Sequence, residues 1–388
     1  MRTAIICYFA SELFLSWGIG VVQYAQPFYY ASMHIGDQNI GYLFAVNGIF
    51  GGLGAFVAGP VADRVGATRL FKLGTLLIGV GAAATAFFYS LPLWFLATAV
   101  SGIGGAMLAS TENVVLNLLV TGFEKSHLIS RFTAFYMVII GIGAMSAGWL
   151  VPKFGLQSTM IIAAVVTLIA PIIRAFVRAS DTRRESLRGL PMKLLTQMAV
   201  YAVLFGVAGG LFNPFATLLL SERHHASTAV TSIVYAIGLF MVAVGSYLVR
   251  PLLRKMRHGS TLVMSYLLSA AFTVAFVAAT TTAAFVGLYF LLTIATAIPQ
   301  PIVDGLFLDA VSPTEFSQMF GTRVFGTRVG NAIGSSVGGG LLKGNHFDWV
   351  MLLSAAMFLI AGLYLGMIRR RRTRPQSDQP VDLSKTRP

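Results

Sequence analysis

The chain of 388 residues is 56% hydrophobic and only 11% charged, a balance that excludes an ordinary water-soluble domain. Its formal charge of +14 would suggest nucleic acid in a soluble protein. Here the basic residues fall in short segments between apolar runs, so no nucleic-acid partner is expected.

A helix crosses a bilayer core with roughly 20 apolar residues, and the chain carries twelve stretches of that kind. In the first half they are 4–30, 39–61, 70–90, 93–120, 131–151 and 157–177; in the second, 194–220, 228–249, 260–280, 284–311, 317–342 and 348–368. Runs such as Met160 to Ile173 are apolar on every side, which fits helices and not the alternating strands of a barrel. The first stretch is too long for a cleaved signal and reads as a spanning helix. Cys7 is the single cysteine, so neither an intrachain disulfide nor a cysteine-held metal is possible. The six histidines lie in loops or at helix ends, and no metal or organic cofactor is expected.

With the N-terminus placed inside, only Lys153, Arg223 and Lys343 of the 28 Lys and Arg residues fall outside. The largest cytoplasmic cluster is Arg174, Arg178, Arg183, Arg184, Arg188 and Lys193. That asymmetry predicts an even number of spans with both termini cytoplasmic, in a bacterial-type inner membrane. The domains expected are an N-terminal lobe at 1–180, a cytoplasmic interlobe loop at 181–193, a C-terminal lobe at 194–370 and a basic, disordered tail at 371–388.

The halves repeat. Displacing the chain by about 190 residues lays Pro60 near Pro251 and Arg131 near Arg323. In one common register Glu112 falls on Asp304 and Asn117 on Asp309, and one residue out of that register the glycine run from Gly143 falls on that from Gly334.

Between the second and third stretches stands Gly59-Pro-Val-Ala-Asp63-Arg64-Val-Gly66-Ala-Thr-Arg69. This resembles the loop signature of major facilitator transporters, with its last basic residue one place late. The fifth stretch holds Gly143-Ala-Met-Ser-Ala-Gly148, similar to the glycine motif of exporters in that family with Ala144 in place of proline, and the eleventh holds a cleaner copy from Gly330 to Gly340. Thr98 stands where the exporters carry an arginine. The resemblance implies an all-α membrane protein of twelve helices in two pseudo-symmetric six-helix bundles, the major facilitator fold, with the substrate held between the lobes near mid-bilayer. It also implies that the loop at Gly59, Asp63, Arg64, Gly66 and Arg69 latches the cytoplasmic side.

Glu112 and Asp304 lie about 12 Å from the cytoplasmic ends of their helices at 1.5 Å per residue. A carboxylate at that depth must be neutral, paired with a cation or facing water. Two readings stay open for them: proton-coupling or substrate carboxylates in a central cavity, or a gate in which Glu112, Asp304 or Asp309 holds Arg131, Arg323 or Arg328. Asp309, near the membrane edge, is expected in the gate. Glu12 reads as a gate or interface residue.

Substrate-binding candidates are Gln23, Gln26, Asn47, Asn113, Asn213, Gln300 and Asn331 for hydrogen bonds, and Tyr136 and Tyr235 among the aromatics. Some of the amides will instead join helices. The expected function is secondary active transport of a small amphipathic solute by rocking of the lobes, as proton-coupled efflux. Uptake of a sugar or organic acid, uniport and lipid translocation are the alternatives, and a non-transporting sensor is a further one. No enzyme is expected, since nucleophile, base and orienting group do not come together at one depth. The partners expected are a small-molecule substrate, protons and the bilayer, with the chain a monomer.

Overall fold

A computed structural model describes residues 2–119, 125–177, 192–308 and 316–373. Asp309, most of the interlobe loop and the tail beyond Thr373 lie outside these residues, as do the side chains of Asp63, Asn113 and Arg131.

Among the described residues every regular element is helical. The first four spans are α1 (Arg2–Ser32), α2 (Asp37–Val65), α3 (Ala67–Phe87) and α4 (Leu91–Leu119). A continuous helical run over Lys125–Ala175 is broken at Gly155 into α5 (125–154) and α6 (156–175). The span α7 comprises Met192–Phe212, a 3-10 turn over Asn213–Phe215 and Ala216–His224. Next come α8 (Thr228–Lys255) and α9 (His258–Ala275). The span α10 is Thr282–Ala297 followed by Pro299–Leu308, and α11 (Phe316–Lys343) and α12 (Phe347–Thr373) end the series.

Ten described helices are long and apolar enough to cross a bilayer. One of them, Phe135–Ala175, contains the break at Gly155. The more polar α11, with Arg323 and Arg328 among its glycines and serines, is a further span, so the twelve expected stretches are all present as helices.

The corners follow from local chemistry. Gly66 turns α2 into α3 at φ 105, and Gly155 separates α5 from α6 at φ 81 and ψ 165, a region that only glycine occupies without strain. Ser227 caps α8 by accepting from Val230 N, and Thr281 caps α10 by accepting from Ala284 N. Nothing would touch a Cβ at Gly155, so Gly155→Ala isolates backbone strain from crowding. It is expected to lower stability by about 1–3 kcal/mol, read as a lower melting midpoint in lipid.

Packing repeats between the halves. Helix α1 lies against α5 so closely that a Cβ on Gly143 would overlap the carbonyl of Trp17; α7 lies against α11 in the same way, with Gly334 on the carbonyl of Val207. The two glycines that share a register in sequence therefore do the same work in space, each letting two backbones touch. Across the halves, α2 packs on α11 and α5 on α8. On the side where α2 and α8 begin, Tyr24 donates to Thr228 O at 2.6 Å and Lys343 Nζ to Gln38 Oε1 at 3.3 Å.

Candidate functional site

The breaks within α7 and α10 both border one cavity. Pro214 forces α7 into a 3-10 turn after Phe212, and Pro299 interrupts α10 after Ala297. Irregular backbone at membrane depth is tolerated where it lines a cavity, and these turns bring Asn213 and Gln300 to the wall of one.

That cavity has a volume of about 750 Å³, within the usual size for a small-molecule site. Gln23, Gln26, Asn47, Asn213, Tyr235, Gln300 and Asn331 all line it, so seven of the nine substrate candidates converge there. Some are already bonded. Tyr235 OH donates to Gln23 Oε1 at 3.1 Å across the lobes, and Asn47 Nδ2 donates to Thr98 O at 3.0 Å. Gln26 Nε2 donates to Tyr30 OH at 2.9 Å. Phe205, Phe212, Tyr289 and Phe358 supply apolar walls.

Tyr136 is absent from the lining; it packs on Phe132 with ring centroids 5.5 Å apart. Asn113 falls among the side chains not described.

The gate residues separate. Arg64 and Arg69 are exposed, flanking the Gly66 turn. Arg323 lies 3.1 Å from Asp304 Oδ1 and donates from Nη1 to Gln300 Oε1 at 2.9 Å. Asp304 is thus in an ion pair and does not line the cavity. Arg328, placed by the sequence at the gate, instead lines the central cavity and a smaller recess of about 450 Å³ beside it. Its guanidinium reaches over Gly51 of α2, where a Cβ would come within 2.6 Å of Nη1. Among the described residues the ion pairs involve Arg174 and Arg323, and no carboxylate pairs with Arg328.

Glu112 also lies outside the cavity lining. It belongs to a cluster inside the first six helices, around Arg174. Expected in the cytoplasmic loop, Arg174 is instead fully buried. Its Nε donates to Ser11 Oγ at 3.1 Å, Nη1 to Thr75 Oγ1 at 2.5 Å and Nη2 to the Glu12 carboxylate. Glu112 Oε1 is 3.8 Å from Nη2. Glu12, read from sequence as a gate or interface residue, is thus a buried partner of Arg174 between helices. The signal was present: apolar sequence resumes after Arg174 as Ala175-Phe176-Val177, so the arginine stands in the last turn of α6 with apolar residues on both sides.

The sequence profile of the Major Facilitator Superfamily matches residues 8–197 and 198–387. Among curated relatives, the chain is 22% identical over 162 residues to the putative niacin/nicotinamide transporter NiaP of Bacillus subtilis, covering 42% of this chain and 40% of that one. It is 23% identical over 207 residues to the 4-hydroxybenzoate transporter PcaK of Acinetobacter baylyi, covering 49% and 44%. These matches span less than half the length of either relative, and both relatives are transporters by name, not enzymes. Among solved structures, the nucleoside transporter NupG superposes with a TM-score of 0.75 at 14% identity, over 95% of this chain and 100% of that one. A variant of it gives 0.76 at 14% identity, over 94% and 99%. At such identity the likeness is one of fold.

Proposed function

Because this chain belongs to the Major Facilitator Superfamily, we propose that it moves a small organic anion with a flat apolar body across the bilayer, by alternating access of the central cavity. The observation that carries this reading is Arg328: a guanidinium midway along α11, lining the cavity, with no paired carboxylate among the described residues. An unpaired cation at that depth is costly, and a carboxylate entering from water would supply its counter-charge through a bidentate pair. The amides Asn47, Asn213 and Asn331 line the same recess as Arg328, and Phe212, Tyr235 and Tyr289 supply aromatic wall to the cavity. Niacin and 4-hydroxybenzoate, named for the two curated relatives, are small aromatic carboxylates and fit this description.

The moving parts are the lobes expected at 1–180 and 194–370, with the Gly59 to Arg69 loop as their cytoplasmic latch, both termini in the cytoplasm and a monomer as the working unit in an inner membrane. Carrying an anion inward against an inside-negative potential costs about 2.3 kcal/mol per charge per 100 mV; a proton carried with it cancels that charge. Proton coupling is therefore part of the proposal. Export in exchange for protons is a second reading, favoured by the glycine run at Gly143–Gly148, which lies against α1 and α8.

The test is flux of labelled niacin and 4-hydroxybenzoate into liposomes containing the purified protein, with and without a pH gradient. Uptake is expected to fall at least about tenfold in Arg328→Gln, the loss of roughly 1.4 kcal/mol or more of binding, and to recover in part in Arg328→Lys. Undiminished flux in Arg328→Gln would remove the anion reading. Oriented vesicles under opposite pH gradients separate import from export.

A further inference from the structure

The solute cavity leaves unused the cluster around Arg174, in which two carboxylates share one guanidinium. We propose that Glu12 and Glu112 form a proton-binding site, holding one proton between them when loaded. The site deepens the proton-linked reading above and rests on it for its role in transport. Its chemistry does not depend on which solute moves.

The contacts around Arg174 distinguish its two acids. Each oxygen of Glu12 has a donor, one accepting from Arg174 Nη2 and the other from Ser16 Oγ at 2.5 Å, with acceptor capacity left on both. Glu112 Oε1 is buried, has no hydrogen-bond partner and stands 3.8 Å from Nη2, beyond hydrogen-bond range. Both carboxyls therefore address the same nitrogen of Arg174, Glu12 by a hydrogen bond and Glu112 from beyond that range. Two carboxylates and one guanidinium leave a single negative charge uncompensated in a buried setting, and one proton on a carboxyl oxygen removes it.

The surroundings add no second cation among the described side chains in contact with the pair. From α1, Tyr8 donates its hydroxyl to Glu112 O at 3.0 Å. From α3 come Thr75 and the Phe71 ring, whose centroid lies 4.1 Å from the guanidinium carbon, while Lys72 Nζ on the same helix goes to Ala175 O at 2.8 Å. On α5, Tyr136 packs against Phe132, whose ring centroid lies 5.1 Å from that of Tyr8. Arg174 itself is the contribution of α6.

Position gives the site its use. Ile19, Gly105 and Thr167 line the solute cavity. Each stands two helical turns from a cluster member on the same face of its helix: Glu12 on α1, Glu112 on α4 and Arg174 on α6. The separation is about 10 Å at 1.5 Å per residue. Any shift of α1, α4 or α6 around a solute therefore moves the groups that hold the proton. Asp304 in the other lobe has its own arginine and is given no share in this proton.

The experiment is infrared spectroscopy of the purified protein in lipid nanodiscs without solute. At neutral pH a carboxylic-acid carbonyl band that shifts in heavy water is expected. It should disappear in Glu112→Gln and also in Glu12→Gln, because one carboxylate and the Arg174 guanidinium already balance in charge and leave no pair to share a proton. Asp304→Asn should leave it in place. A wild-type spectrum without the band, or a band that survives both glutamine substitutions, overturns the proposal. The wild-type band and its isotope shift need no variant, so misfolding of a variant cannot mask the result. If the band behaves as expected in a protein that moves no solute, the proton site stands and the transport reading falls.

Discussion

Replacing Arg174 by methionine is expected to cost about 3–5 kcal/mol of stability, as a lower melting midpoint of the protein in lipid. Arg174 is fully buried and touches α1 through Ser11 and Glu12, α3 through Thr75 and α4 through Glu112. Methionine keeps much of the volume and removes every donor, leaving Glu12 buried with no cation. The decisive control is the triple variant Arg174→Met, Glu12→Gln, Glu112→Gln. Removing all the charges together avoids the uncompensated carboxylates, so much of the lost stability should return, with an interaction energy of the size seen for residues in one network. Arg69→Met, at an exposed arginine, should change stability by no more than about 0.5 kcal/mol. An Arg174→Met protein that melts like the wild type would show that the cluster contributes nothing to the fold.

That cluster also marks where sequence reading stopped. The spans were legible because bilayer thickness imposes a length and hydrocarbon an apolar composition. The repeat was legible because close helix packing demands glycine at matched positions, and Gly143 and Gly334 now sit against α1 and α7 in equivalent roles. The cavity amides were legible too, since a polar side chain at mid-span has few places to go. What charge patterning could not supply was direction around the helix axis. Arg174 and Arg328 each lie near a run of other basic or polar residues, and a loop or gate place was the natural reading for both. One is enclosed among α1, α3 and α4 and the other lines the central cavity. Glu112 and Asp304 share a register in sequence but not an environment: Arg323 pairs with Asp304 directly, whereas Glu112 competes with Glu12 for one arginine. An internal repeat preserves backbone geometry and leaves each lobe free to specialise its charges.

The contact between α2 and α11 offers a direct handle on the rocking motion. A Cβ at Gly41 would overlap the carbonyl of Ser335, and one at Gly339 would come within 2.5 Å of Asp37 O. Gly41→Val therefore cannot be absorbed by a side-chain rotation, because backbone faces it. Overpacking of this kind typically costs about 1–3 kcal/mol, and the cost falls only on the state in which these helix ends touch. The equilibrium between states should shift by about 5- to 150-fold, away from the arrangement seen here. In a Cys7→Ser background, cysteines at Gln38 and Lys343, whose long side chains meet at their ends at 3.3 Å, should be bridged by a flexible bifunctional thiol reagent in the parent and several-fold less after Gly41→Val. A second pair at Phe56 and Phe325, with ring centroids 5.9 Å apart nearer the other end of the same two helices, should keep its yield. Loss of both cross-links would mean that the valine unfolds the interface. Loss of neither would mean that α2 and α11 slide past the added bulk, and the contact at Gly41 would then have no part in opening the cavity.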